Sequence, residues 1–168
     1  MIDRILQFLS GQATKPDQPD DLQLAVAALL VEAARMDDHF DAAERKVIER
    51  LLANRFQLSP DATRRLLDAA ERTEERSTQL FRFTHLAVQR LDAVGRVRLI
   101  EMLWEVAYAD GSLDPDEDML LRRVAGLLYV SDRERGEARL RALQRLGLVA
   151  QFPRSKRHNI AGLPQRVG

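Results

Sequence analysis

Six carboxylates recur in two clusters of one spacing, Asp37, Asp41 and Glu44 and then Asp110, Asp114 and Glu117, each reading Asp-x-x-x-Asp-x-x-Glu. Three acidic side chains within eight residues form the donor type that calcium and magnesium prefer, because hard cations gather anionic oxygens. All six are therefore candidate ligands for a divalent cation of unassigned identity. Compared with an EF-hand loop, Asp110–Glu117 supplies the second half: an acid, Gly111, the apolar Leu113, then Asp114 and Glu117. The positions of the first two ligands hold Val106 and Tyr108, and in the first cluster Ala33 and Arg35, so an ordinary EF-hand is excluded.

The same acids also have a structural reading. Asp41 and Asp114 suit helix N-caps, Glu44 and Glu117 close capping boxes three residues on, and Gly111 suits the left-handed residue past a helix end. Capping does not account for Asp37 and Asp110. The periodicity places both in the last turn of a helix, where an acid opposes the negative end of the macrodipole. Each is then neutralised by a cation or by a side chain such as Arg35, Arg45 or His39. Cation binding and purely structural hydrogen bonding both stand at this point.

The elements that must position these residues come from an internal repeat. Residues 32–48 align with 105–121 at a constant offset of 73: Glu32 on Glu105, Ala34 on Ala107, Asp37 on Asp110, Asp41 on Asp114, Glu44 on Glu117. The register slips by one where Leu58-Ser59 meets Val130-Ser131. Each copy reads as a helix, a short acidic turn and a capped helix, so a duplicated helical hairpin is expected. Apolar residues recur at spacings of three and four, as in Leu22, Val26, Leu29, Leu30 and Ala33, and nowhere at a sustained spacing of two.

Capping signals at Asp20, Asp41, Ser59, Asp114 and Ser131 start helices near 21, 42, 60, 115 and 132. Two further helices over about 78–91 and 94–109 follow from the spacing of Leu80, Phe83, Ala87 and Leu91, then Val97, Ile100 and Trp104. An all-α fold of about seven helices is expected, plus a short N-terminal helix over 2–9. The chain divides into that helix and a Pro-rich linker over 1–19, a helical domain over 20–148, and a basic tail over 149–168.

Composition limits the function. Of 168 residues, 45% are hydrophobic and 31% charged, ordinary for a folded domain. The absence of cysteine excludes disulfides, thiolate metal sites and thiol nucleophiles. Lys plus Arg and Asp plus Glu number 26 each, so no net charge steers the chain to nucleic acid, and none is expected as a partner. Four cations and no acid lie in 151–168, which leaves the body mildly acidic. The apolar positions of the first helix are interrupted by Asp3, Arg4 and Gln7, so neither a signal peptide nor a spanning helix is expected, and the cytoplasm is the expected compartment.

The run Val106-Ala107-Tyr108-Ala109-Asp110-Gly111-Ser112-Leu113-Asp114-Pro115-Asp116-Glu117, with Leu120 to Ala125 and the exit Leu128-Tyr129-Val130-Ser131, resembles the signature of the TerB (tellurite resistance protein B) family. Ala33 to Glu44 is similar to its N-terminal half, and the resemblance covers about 20–146. It implies an all-helical domain of about seven helices, an acidic patch as candidate metal site, and a link to tellurite and other chemical stress, often beside membrane-associated partners. The chain departs from an exact repeat at Met36-Asp37-Asp38-His39, opposite Ala109-Asp110-Gly111-Ser112, so the two turns are not chemically equal.

No phosphate-binding loop or nucleophile elbow occurs, and His39, His85 and His158 are isolated from one another. The expectation is a non-catalytic module that docks a protein partner, with a cation at the acidic turns and self-association left open. The alternatives are a purely structural interaction protein and a carboxylate-dependent enzyme. Trp104 and Tyr108, four residues apart, are core in one reading and an exposed partner site in the other, a choice that burial decides.

Overall fold

The computed structural model describes residues 19–37, 40–73 and 77–152, without the side chains of 37, 77 and 78. The expected helix over 2–9, His39 and the tail beyond Phe152 lie outside the described residues. Seven α-helices follow in order: α1 (Asp21–Ala34), α2 (Ala42–Phe56), α3 (Pro60–Glu71), α4 (Ser77–Arg90), α5 (Ala93–Ala107), α6 (Pro115–Leu127) and α7 (Asp132–Leu146). A single 3-10 turn, Arg35–Asp37, extends α1. The described residues contain no strand.

Five helices start where the capping signals place them, and at four of these the side chain caps. Ser59 Oγ accepts the N–H of Ala62, and Pro60 occupies the first turn of α3, where its missing N–H costs nothing. At Ser131 the box closes both ways: Oγ accepts Glu134 N–H, and Glu134 Oε2 accepts the Ser131 N–H at 2.9 Å. Asp20 is a correction. It precedes α1 as expected, but its side chain makes no cap bond and its Oδ2 lies 3.5 Å from Arg90 Nη2. Asp92 supplies a cap that the spacing argument did not use: its Oδ1 accepts the N–H of Gly95 at 2.7 Å and starts α5 one residue earlier.

Helix α1 is the centre of the bundle. From Ala25 to Ala34 every residue except Glu32 is buried, and the helix packs against α2, α3, α4, α5 and α6. A helix apolar on all sides stabilises a fold only when neighbours surround it, and small alanines let them approach. Helix α5 is the counterpart in the second copy, buried over Leu99–Ala107 and packed against α1, α2, α6 and most extensively α7.

The repeat extends further than the hairpin. Within each copy a long buried helix packs on the capped helix after the turn and on a third helix that starts at a serine cap: α1 with α2 and α3, α5 with α6 and α7. The exits match as well. Leu58 N–H bonds Ala53 O, Val130 N–H bonds Ala125 O, and Gln57 and Tyr129 hold left-handed backbone between them. Helix α4 stands between the two three-helix units.

Candidate functional site

In the second copy α5 stops at Ala107. Tyr108 leaves the helix at φ −96°, and Gly111 at φ 85° returns its N–H to Tyr108 O at 2.9 Å. Any residue with a Cβ is strained there, which explains the glycine. Asp110 therefore lies beyond the helix, and the expected helix over 94–109 is two residues too long at this end. Its Oδ1 accepts both the N–H and the Oγ–H of Ser112 at 2.9 Å, a turn that a short carboxylate makes with the backbone two residues on. The placement expected for Asp110, inside the last turn of a helix, is not found.

Asp114 Oδ1 accepts the Asp116 N–H at 2.8 Å, and Glu117 Oε2 reaches back to the Asp114 N–H at 3.0 Å. The first copy repeats this. Asp41 Oδ1 accepts from Ala43 and Glu44, and Glu44 Oε2 accepts from Asp41 N–H at 2.9 Å. Glu44 and Glu117 are buried against the bundle, whereas Asp41, Asp110 and Asp116 are exposed. The backbone of Asp37 closes the 3-10 turn, and its side chain is outside the described set.

Four of the six sequence-predicted carboxylates thus sit in two cap assemblies, and Asp110 makes a turn with Ser112 beside the second. Among the described residues no three His, Asp or Glu side chains converge in a group able to hold a metal ion. As arranged, the described donors do not fit a chelated ion: each glutamate is turned inward to a backbone N–H, leaving short aspartates at the surface. The cations near the turns pair with acids of the helices. Arg45 beside the first turn pairs with Glu49, Asp68 and Glu71 and ties α2 to α3. Beside the second, Asp118 meets Arg122 at 3.5 Å, and Asp41 of the first turn, like Asp110, Asp114 and Asp116 of the second, has no cationic partner among the described residues.

Trp104 and Tyr108 are core. Each is 1% exposed, their rings stack at 5.8 Å, and Phe152 covers Tyr108 at 4.8 Å. Arg139 of α7 lies over both rings, and its Nε donates to Tyr108 Oη at 2.6 Å. Burial raises the Tyr108 phenol above its ordinary range, partly countered by Arg139. Sequence reasoning missed a second polar system on α5. Glu101 and Glu105, both nearly buried, receive Arg141, Arg145 and Arg50, so that all four carboxylate oxygens are occupied. Its signal was the matching four-residue spacing of Glu101 and Glu105 with that of Arg141 and Arg145.

Two copies of a buried helix, an acidic capped turn and a following pair of helices define an all-helical duplicated module. The family model described as tellurite resistance protein TerB matches residues 23–140, and the chain belongs to that family. No curated protein and no solved structure gives a significant match. No helix among the described residues is long and apolar enough to cross a membrane.

Proposed function

We propose that this TerB-family chain is a non-catalytic cytoplasmic module of a chemical-stress response that docks a protein partner through its second acidic turn. The observation that carries the reading is the group of three surface aspartates on the second turn. Asp110, Asp114 and Asp116 lie on a backbone fixed by a capping box and by Gly111, with no cationic partner among the described residues. Fixed, unneutralised carboxylates recognise a cationic surface at little ordering cost, and a Lys/Arg-rich segment of a partner supplies one. A divalent cation competes for the same carboxylates, loosely, because the described donors form no cage. A membrane-associated partner with a basic cytoplasmic segment fits this chemistry.

The test is fluorescence anisotropy of a labelled Lys/Arg-rich peptide with the whole chain and with Asp110→Asn/Asp116→Asn. Asparagine at 110 keeps an oxygen for the Ser112 N–H, so the turn is retained. Affinity is expected to fall about tenfold in the variant and to weaken with salt. The thermal midpoint in chelator and then in millimolar Ca²⁺, Mg²⁺, Mn²⁺ or Zn²⁺ measures the competing cation by linkage. Equal peptide binding by both proteins removes the acidic turn from any docking role.

A further inference from the structure

A cleft of about 220 Å³ opens between α2, α5 and α7, floored by Leu51 and Met102. Four guanidinium groups line it: Arg50 and Arg55 from α2, Arg98 from α5 and Arg145 from α7. Its carboxylates, Glu101 and Glu105, are 5% and 2% exposed and already saturated by Arg50, Arg141 and Arg145. Within the cleft itself Arg50 and Arg145 balance these two carboxylates. The rim adds two positive charges in excess. Arg98 is exposed and pairs with no carboxylate among the described residues, and Arg55 lies over the Phe56 ring at 5.6 Å, likewise without one.

A chain with equal numbers of cationic and anionic residues has no general excess to place here, so this convergence is local. Unpaired guanidiniums lining one concave site favour a bound anion there. The neighbouring cleft along α5 limits which anion fits. It is lined by Glu134 and Glu137 as well as Arg98 and Arg141, so an extended polyanion leaving the arginines meets carboxylates. A compact group does not. The free guanidiniums, Arg55 and Arg98, come from different helices, α2 and α5, which suits the diverging oxygens of a tetrahedral anion.

We propose that the cleft between α2, α5 and α7 is an oxyanion site that takes a phosphate or phosphate-monoester group, with Arg55 and Arg98 as its free donors. The site is separate from the acidic turns and does not depend on the docking reading. A soluble phosphate ester and a lipid headgroup present the same chemistry.

The experiment compares the whole chain with Arg55→Gln/Arg98→Gln, a pair chosen because neither residue pairs with a carboxylate in the described fold. Thermal midpoints are measured in chloride and in inorganic phosphate or glycerol phosphate at matched ionic strength. Flotation with phosphatidic acid in phosphatidylcholine vesicles runs in parallel. The parent is expected to gain about 3 °C in phosphate or its ester over chloride, and the variant to lose that gain while melting normally in chloride. Vesicle binding that the variant also loses assigns the group to a lipid headgroup; a midpoint gain without vesicle binding assigns it to a soluble ester. Equal responses in both proteins, or no midpoint gain and no vesicle binding in the parent, overturn the proposal.

Discussion

Gln57 and Tyr129 hold the same left-handed backbone position in the two copies, at φ 53° and 56°, and each stands two residues before a serine that caps the next helix. They are the two non-glycine residues with positive φ among the described residues. The equivalence places the duplication in the backbone itself, since neither side chain resembles the other. Left-handed backbone costs a residue with a Cβ about 1 kcal/mol relative to glycine. Tyr129 is 77% exposed and loses little packing on truncation, so Tyr129→Gly is expected to stabilise by about 1 kcal/mol. Gln57→Gly gains less, because Gln57 Nε2 donates to Asn54 O at 2.8 Å and that bond goes with it. Urea midpoints at unchanged slope check both; a loss of stability in Tyr129→Gly would show that the tyrosine packs in a way the exposure does not record.

Arg145 bridges the two buried acids of α5, with Nη1 on Glu105 at 2.8 Å and Nη2 on Glu101 at 2.7 Å. Arg145→Met is expected to cost about 1 to 3 kcal/mol, because it takes one partner from each nearly buried carboxylate while Arg141 and Arg50 keep the other. The guanidinium is half exposed, which keeps the loss toward the lower part of that range. Adding Glu105→Met should recover part of it by removing one of the carboxylates left short of a donor. A double-mutant cycle in urea reads the coupling directly, and strict additivity of the two substitutions would rule out the bridge as a stabilising contact.

The helical layout was legible because its signals are local. Caps at Asp41, Ser59, Asp114 and Ser131 and the three-and-four spacing of the apolar residues each act within one or two turns, and four helix starts followed from the caps. Asp110 was misplaced for a related reason. Periodicity runs on through Tyr108 and Ala109, and only the left-handed Gly111 with the Ser112 bonds shows that the helix has already ended. The orientation of Glu44 and Glu117 was readable as capping boxes, but their burial depends on how α2 and α6 lie against the bundle. The arginine system was hidden because Glu101 and Arg141 are 40 residues apart and meet only once α7 packs on α5. For Trp104 and Tyr108 the spacing allowed either face, and tertiary packing chose the core.

That packing makes Tyr108 the basis of an alkaline prediction. Its phenol is buried against Trp104, Phe152 and Arg139, and burial raises it above the ordinary value of 10.0. The folded state therefore holds the phenolic proton more tightly than the unfolded state does. The corresponding stability is fully present below about pH 10 and is lost as pH rises through the raised folded value. Tyr108→Phe removes this dependence and also the hydrogen bond from Arg139, so it should cost about 1 kcal/mol at neutral pH. Urea unfolding from pH 8 to pH 11 should then show a shallower alkaline decline in Tyr108→Phe than in the parent, with the two curves converging at the alkaline end. Parallel curves would assign the decline to other groups and leave Tyr108 with a packing role alone.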